Sequence, residues 1–123
     1  MLPYDKRVSV SVTPSLVRVT PKQANSLALV INELATNTIK HALPSRYTAL
    51  ISICIALEDD TILFEFRDDG PGYPEEVLNL ERYNVGLYLI QTMVREGLGG
   101  ELVLHNDRGA VTTVRFKKST SGF

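Results

Sequence analysis

Several features common in other protein classes are scarce or missing in this chain of 123 residues. It has one cysteine, Cys54, which excludes an internal disulfide framework and any metal site built from several thiolates. No apolar run approaches the ~20 residues that span a bilayer. The N-terminal stretch MLPYDKRVSV has no apolar leader segment. No block or stripe of lysine and arginine occurs, and the formal net charge is −1, so nucleic-acid binding through phosphate contacts is not expected. Nothing resembles a Ser/His/Asp arrangement or zinc-ligand spacing. The simplest reading is a cytoplasmic protein without direct membrane contact.

What is present is ordinary for a globular domain. Hydrophobic residues make up 44% and charged residues 22%, and 123 residues suffice for one domain with a real core. The expectation is a single domain over 1–123, with its core at about 8–117 and a frayed tail at 118–123. VSVSV (8–12) alternates with period two and reads as a strand, and SLVRV (15–19) as a second short one. Thr20, Pro21 and Gln23 supply an N-cap, a first-turn proline and a capping-box partner. They open a helix that runs to about Ala42, with Pro44 disfavouring helical geometry at Leu43. Ala24, Leu27, Ala28, Ile31, Leu34, Ala35 and Ala42 are its expected apolar face.

YTALISICIAL (47–57) and TILFEFR (61–67) flank a turn and predict a hairpin. Residues 68–84 predict the main irregular loop, VGLYLIQTMVRE (85–96) a helix stopped at Gly97, and ELVLH and AVTTVRF two strands around the turn NDRG. The order predicts an α+β fold, a two-layer sandwich in which helices cover one face of a mixed, mostly antiparallel sheet. Cys54 alternates within a strand and is expected to be buried filler, and His105 ends a strand with no evident partner.

Three stretches carry candidate chemistry. In INELATNTIKHA (31–42), Glu33, Asn37 and Lys40/His41 recur at steps of three and four and so share one stripe of a helix. A carboxylate and an amide oxygen are hard ligands suited to Mg²⁺ or its water, and a lysine can meet a phosphate. A solvated helix face explains any one of these residues equally well. In FRDDGPG, Asp68 shares the parity of Ile62, Phe64 and Phe66 and so ends its strand pointing inward, where a carboxylate needs a donor. Gly70 and Gly72 then allow positive φ and close backbone approach. A plain turn after a strand would also use Asp-Gly. Gly86 lies where a loop enters a helix, and a helix N-terminus with free amides suits phosphate.

Together, NELATNTIKHA, DDGPG and GLYLIQTMVREGLGGEL have the order and spacing of the gyrase, heat-shock chaperone, histidine kinase and mismatch-repair ATPase superfamily. They most resemble the catalytic ATP-binding domain of sensor histidine kinases with a short lid, over about Val8 to Phe116. The resemblance implies that Asn37 coordinates Mg²⁺ on the ATP phosphates and Glu33 orients or activates the attacking group. It implies that Lys40 contacts phosphate, His41 lines the same site, and Asp68 accepts a hydrogen bond from the adenine amino group. Gly70 and Gly72 would give the base and lid room, and Gly86 with Leu87 would meet the phosphates. Thr112 would hold an adenine-bridging water.

The implied activity is ATP-dependent phosphorylation of a histidine on a separate dimerisation domain, within a two-component phosphorelay that ends in a response regulator. The chain would then be the C-terminal portion of a longer sensor, such as the cytoplasmic part of a membrane-bound one. Two alternatives use the same fold: a stand-alone anti-sigma-type serine/threonine kinase, and a non-catalytic interaction module. The sequence departs from the family where Gly-Leu-Gly-Leu reads GLYL, with Tyr88 for the second glycine. The lid, 73–85, is short, and Tyr73 and Tyr83 are its aromatics.

Overall fold

Helix α1 (Pro21–Ala42) begins at a reciprocal cap: Thr20 Oγ1 accepts from Gln23 N at 3.1 Å and Gln23 Oε1 accepts from Thr20 N at 3.0 Å. Two of the free first-turn donors are thereby satisfied. Gln23 also donates through Nε2 to Lys117 O at 3.1 Å, which ties the start of the helix to the sheet. The computed structural model describes residues 6–44, 46–79 and 85–119. Along α1 the buried positions are Gln23, Ser26, Leu27, Val30, Leu34, Thr38 and Ala42. This stripe is rotated from the expected one, since Ala24 and Ala28 are exposed and Ile31 and Ala35 only half-buried. Alanine covers too little area to set a face, so the large side chains Leu27, Val30 and Leu34 decide which side turns inward.

Strands β1 (Arg7–Val12), β2 (Thr48–Glu58), β3 (Thr61–Asp68), β4 (Glu101–Asn106) and β5 (Ala110–Lys117) form one sheet in the order β1-β2-β3-β5-β4. β1 and β2 pair in parallel with α1 as the crossover, and the other pairs are antiparallel. Ile51, Ile62, Phe64, Phe66, Val114 and Phe116 face the helices and share one core with Leu27, Val30, Leu34, Ile90, Val94 and Leu98. The period-two pattern of TILFEFRD is visible as strict alternation of buried and half-buried residues up to Phe66. Cys54 is half-buried and registers with Glu65, on the face away from the helices, rather than in the core.

The structure departs from expectation at several points. The segment 15–19 is not a strand: Val17 N bonds to Ser15 Oγ at 3.1 Å, a tight local turn that removes it from sheet pairing. Val17 and Val19 still pack against the core. Leu43 keeps helical angles (φ −79, ψ −25) despite Pro44, and its carbonyl accepts from Lys6 Nζ at 2.7 Å. Helix α3 (Val85–Thr92) runs into a π-helical turn at Met93–Gly97, closed by Leu98 N to Met93 O at 3.1 Å. The helical run ends at Gly97, as expected, and Gly97 sits where a side chain would strike Ser26 of α1, with Oγ 2.2 Å from a Cβ. The loop expected at 68–84 contains a one-turn helix, α2 (Glu75–Leu78), and its residues 80–84, Tyr83 among them, lie outside the described residues. Most of the tail, 120–123, also lies outside them.

Because the Thr20 hydroxyl is the cap acceptor, Thr20→Ala should destabilise the domain by about 1 kcal/mol. Urea unfolding would show a lower midpoint with an unchanged slope, and an unchanged midpoint would show that the cap contributes nothing.

Candidate functional site

Between the C-terminal half of α1 and the loop after β3 lies a cleft of about 490 Å³. Leu34, Asn37, Thr38, His41 and Ala42 of α1 form one wall, Phe66 and Asp68 of β3 the base, and Pro71 to Pro74, Val77 and Leu87 the other side. This size and mostly apolar lining, with a few convergent polar groups, suits a small organic ligand.

Asp68 is the polar centre of the cleft. Its strand parity carries it inward beyond Phe66. Oδ1 accepts from Gly70 N at 2.9 Å and Ala110 N at 3.2 Å, and Oδ2 from Thr38 Oγ1 at 2.9 Å. A carboxylate has about four acceptor positions, so three protein donors fix its orientation and leave acceptor capacity toward the cleft. Thr38 is buried, and among the described residues its one proton has Leu34 O at 3.2 Å as the other acceptor in reach. The charged carboxylate is the nearer and stronger partner.

The Ala110 donor depends on a tight turn at the β4–β5 hairpin. Arg108 has φ 59 and Gly109 φ 141, and a Cβ on Gly109 would stand 2.0 Å from Asp68 O. Only glycine lets the hairpin lie on the Asp68 backbone. The neighbouring aspartate does something else. Asp69 Oδ1 accepts from Leu50 N at 2.9 Å and pairs with Arg46 at 3.2 Å, and the Arg46 guanidinium also donates to Asp69 O. Asp69 therefore anchors the segment that follows α1 to the sheet.

The loop after β3 is pinned at Tyr73. Asn106 Oδ1 accepts from Tyr73 N at 2.7 Å, and Asn106 Nδ2 donates to Tyr73 O at 3.0 Å. Gly72 has φ 89 and would place a Cβ 2.8 Å from the Asn106 side chain, so the close approach requires glycine. The Tyr73 hydroxyl lies 2.5 Å from Thr112 Oγ1. Burial pushes the phenol above the ordinary tyrosine range, the Thr112 hydrogen bond opposes this, and the Asp68 charge adds to the rise.

Of the residues singled out in the sequence, Asn37, His41, Asp68, Gly72 and Leu87 line the cleft. Thr112, 1% exposed, stands behind Tyr73. Gly70 is not itself a lining residue; a Cβ there would come within 2.7 Å of Ala42 Cβ and 3.2 Å of Asp68 Oδ1, both of which line the cleft. Glu33 is half-buried and Lys40 exposed, both on α1 but off the cleft lining, and Gly86 precedes the lining residue Leu87. Tyr88 is 59% exposed and also off the lining. Among the described residues no cluster of three His, Cys, Asp or Glu side chains is placed to hold a metal. Sequence reasoning passed over Thr38, Asn106 and the anchoring of Tyr73. Thr38 was within reach, since it follows Leu27, Val30 and Leu34 on the buried stripe.

This geometry has known counterparts. The profile of the histidine kinase-, DNA gyrase B- and HSP90-like ATPases matches residues 22–120, and the chain belongs to that family. Family membership implies that the domain binds ATP. Blue-light-activated histidine kinase 2 of Erythrobacter litoralis is 27% identical over 87% of this chain, which spans 30% of that protein. The anti-sigma F factor of Geobacillus stearothermophilus is 25% identical over 92% of this chain and 81% of its own length. Among solved structures, the blue-light activated histidine kinase of Erythrobacter litoralis EL346 superposes with a TM-score of 0.79 at 24% identity, over 93% of this chain and 36% of that one. The catalytic domain of histidine kinase ThkA does so at 0.72 and 16% identity, over 93% and 80%. At these identities the superpositions establish a shared fold, the α+β sandwich. No helix among the described residues is long and apolar enough to cross a membrane.

The raised Tyr73 pKa has a consequence at high pH. An unfolded tyrosine ionises near pH 10, whereas folded Tyr73 keeps its proton beyond that point. The associated stability is complete below about pH 10 and is lost as pH rises through the folded pKa. Urea unfolding at pH 8 and above pH 10.5 should therefore show a larger loss in the wild type than in Tyr73→Phe. Equal losses would mean that the phenol ionises normally.

Proposed function

We propose that the domain binds Mg–ATP in this cleft and presents the γ-phosphate to a histidine on a helical dimerisation domain, as the catalytic part of a two-component sensor histidine kinase. The observation that carries this reading is the Asp68 carboxylate, held by three protein donors, facing a cleft whose opposite wall carries Asn37. Asp68 accepts from an exocyclic amino group of the base. The apolar lining from Leu34, Phe66, Val77 and Leu87 suits the flat faces of a purine.

Asn37 and His41 also line the cleft, Asn37 half-buried and His41 exposed, and in this reading they meet the phosphates. An amide oxygen at Asn37 fits one position of a hard divalent ion whose remaining ligands are phosphate oxygens and water, the usual way Mg²⁺ is held. When bound, Mg²⁺ supplies neutralisation of phosphate charge. Glu33, one helical turn before Asn37, orients the attacking group, and Lys40 approaches the phosphates from the exposed side. The backbone at Gly86 and Leu87, the first turn of α3, offers amides to the phosphates. Catalysis in such a site rests on positioning and electrostatic stabilisation rather than covalent chemistry. The partners are then the phosphoacceptor domain and a response regulator, in the cytoplasm.

A second reading is favoured by one observation. The likeness to the anti-sigma F factor runs over 81% of that protein's length. In this reading the same site phosphorylates a serine of a partner protein. Phosphohistidine is lost in acid and phosphoserine is not, so the acid stability of phosphate transferred from labelled ATP separates the two.

The site itself is tested by calorimetry with a non-hydrolysable ATP analogue. Asp68→Asn should weaken binding by about 1.5–3 kcal/mol, the worth of a charge-assisted hydrogen bond. Asp69→Asn should lower the melting temperature instead and leave affinity within about twofold, because its carboxylate serves Leu50 N and Arg46. Equal affinity losses in two folded mutants would sink the assignment. A separate titration addresses the metal: with Asn37→Ala, binding with and without Mg²⁺ should converge. A persistent difference as large as in the wild type would place the ion elsewhere.

A further inference from the structure

The hydroxyl pair Tyr73–Thr112 is not needed to hold the loop, because Asn106 already fixes the Tyr73 backbone through both its N–H and its carbonyl. The two oxygens are 2.5 Å apart and have two protons between them, of which their mutual hydrogen bond uses one. Which proton is left over follows from the surroundings. Thr112 is 1% exposed, and its cross-strand neighbours are Phe66 and Leu104, both apolar. The phenol oxygen is its one hydrogen-bonding partner among the described residues. Donation from Thr112 to Tyr73 leaves no Thr112 proton against these apolar neighbours, whereas the reverse arrangement does. Tyr73, by contrast, lines the cleft together with Asp68, so its own proton has that space available to it.

We propose that Tyr73 is a specificity-determining residue of the cleft: its hydroxyl, held by Thr112, is the hydrogen-bond donor that complements the Asp68 acceptor. This rests on the nucleotide reading above. An acceptor beside a donor recognises a base edge with an amino group next to an unprotonated ring nitrogen, as in adenine. It rejects an edge with a carbonyl next to a ring N–H, as in guanine, because the carboxylate would then face an oxygen and the phenol a donor. A site built to hydrogen-bond a ligand discriminates most strongly when the wrong ligand leaves buried polar groups unpaired. The influence of the Asp68 charge on the Tyr73 phenol agrees with the two groups acting side by side. Asn106 is then a positioning residue that touches no ligand and acts through the Tyr73 backbone.

Calorimetric titration with ADP and with GDP tests this in wild type, Tyr73→Phe, Thr112→Val and Asn106→Ala, each checked for folding by thermal melting. Tyr73→Phe keeps the ring and removes the proton, so ADP affinity should fall roughly three- to tenfold, the range for one neutral hydrogen bond. GDP affinity should stay level or rise, because the phenol donor no longer faces the guanine ring N–H, so the preference for ADP narrows. Thr112→Val should narrow it in the same direction by releasing the phenol. Asn106→Ala should do so too, and Asn106→Ala combined with Tyr73→Phe should be no less selective than Tyr73→Phe alone. A folded Tyr73→Phe protein with the wild-type ADP-to-GDP ratio overturns the proposal, as does a parallel loss for both nucleotides, which a purely structural ring would produce. A wild type that binds neither nucleotide overturns the nucleotide reading itself, an outcome distinct from a wild type that binds ADP with a ratio insensitive to Tyr73.

Discussion

The Asp68 carboxylate joins three parts of the chain that are distant in sequence. Thr38 reaches it from the middle of α1, Gly70 from the loop that follows β3, and Ala110 from the first residue of β5. A charge placed at the end of a core strand would be expensive if left alone. Here its three donors make it a fixed point, and the long helix, the loop and the hairpin all close on it. The cleft is the space these elements leave when each is held to the same two oxygens. Losing the Thr38 hydroxyl would remove the one side-chain tie between α1 and this carboxylate among the described residues.

Around that point the chain separates structural from chemical duties residue by residue. Asp68 and Asp69 are adjacent, yet strand alternation sends one to the cleft and the other to Leu50 and Arg46. Helix α1 does the same around its circumference. Leu27, Val30 and Leu34 bury one stripe, while Asn37 and His41 reach the cleft from its edge. The β4–β5 hairpin contributes from both ends: Gly109 lets the turn rest on Asp68, and Asn106 grips the loop at Tyr73. The walls of the cleft are thus held by hydrogen bonds from rigid strands, which suits a site that must discriminate among flat ligands.

Membership of the histidine kinase-, DNA gyrase B- and HSP90-like ATPases accounts for the fold and for the general placement of the cleft. It does not account for every residue in it. Tyr73 with Thr112, and Thr38 on Asp68, are contacts of this chain's own side chains, and they define the polar edge that a ligand meets. The chain spans 30% of the blue-light kinase it resembles and 81% of an anti-sigma F factor. The matched stretch is thus a different share of each relative, which is why the site and not the fold must carry the functional argument.

Sequence by itself determined what depends on neighbours a few residues apart. The capping box at Thr20 and Gln23, the two hairpins, the inward parity of Asp68 and the α+β layering all follow from short-range periodicity and turn chemistry, and all are present. The order of the three motifs by itself points to the family. Tertiary structure alone decided which stripe of α1 turns inward, that SLVRV makes a local turn and not a strand, and that Gly70 packs on Ala42. It also decided the contacts that finish the site. Thr38 meets Asp68 across 30 positions, Asn106 meets Tyr73 across 33, and Tyr73 meets Thr112 across 39. Such pairings depend on strand register and on where a helix settles against a sheet. Both are set by the packing of the whole core, and no local pattern encodes them.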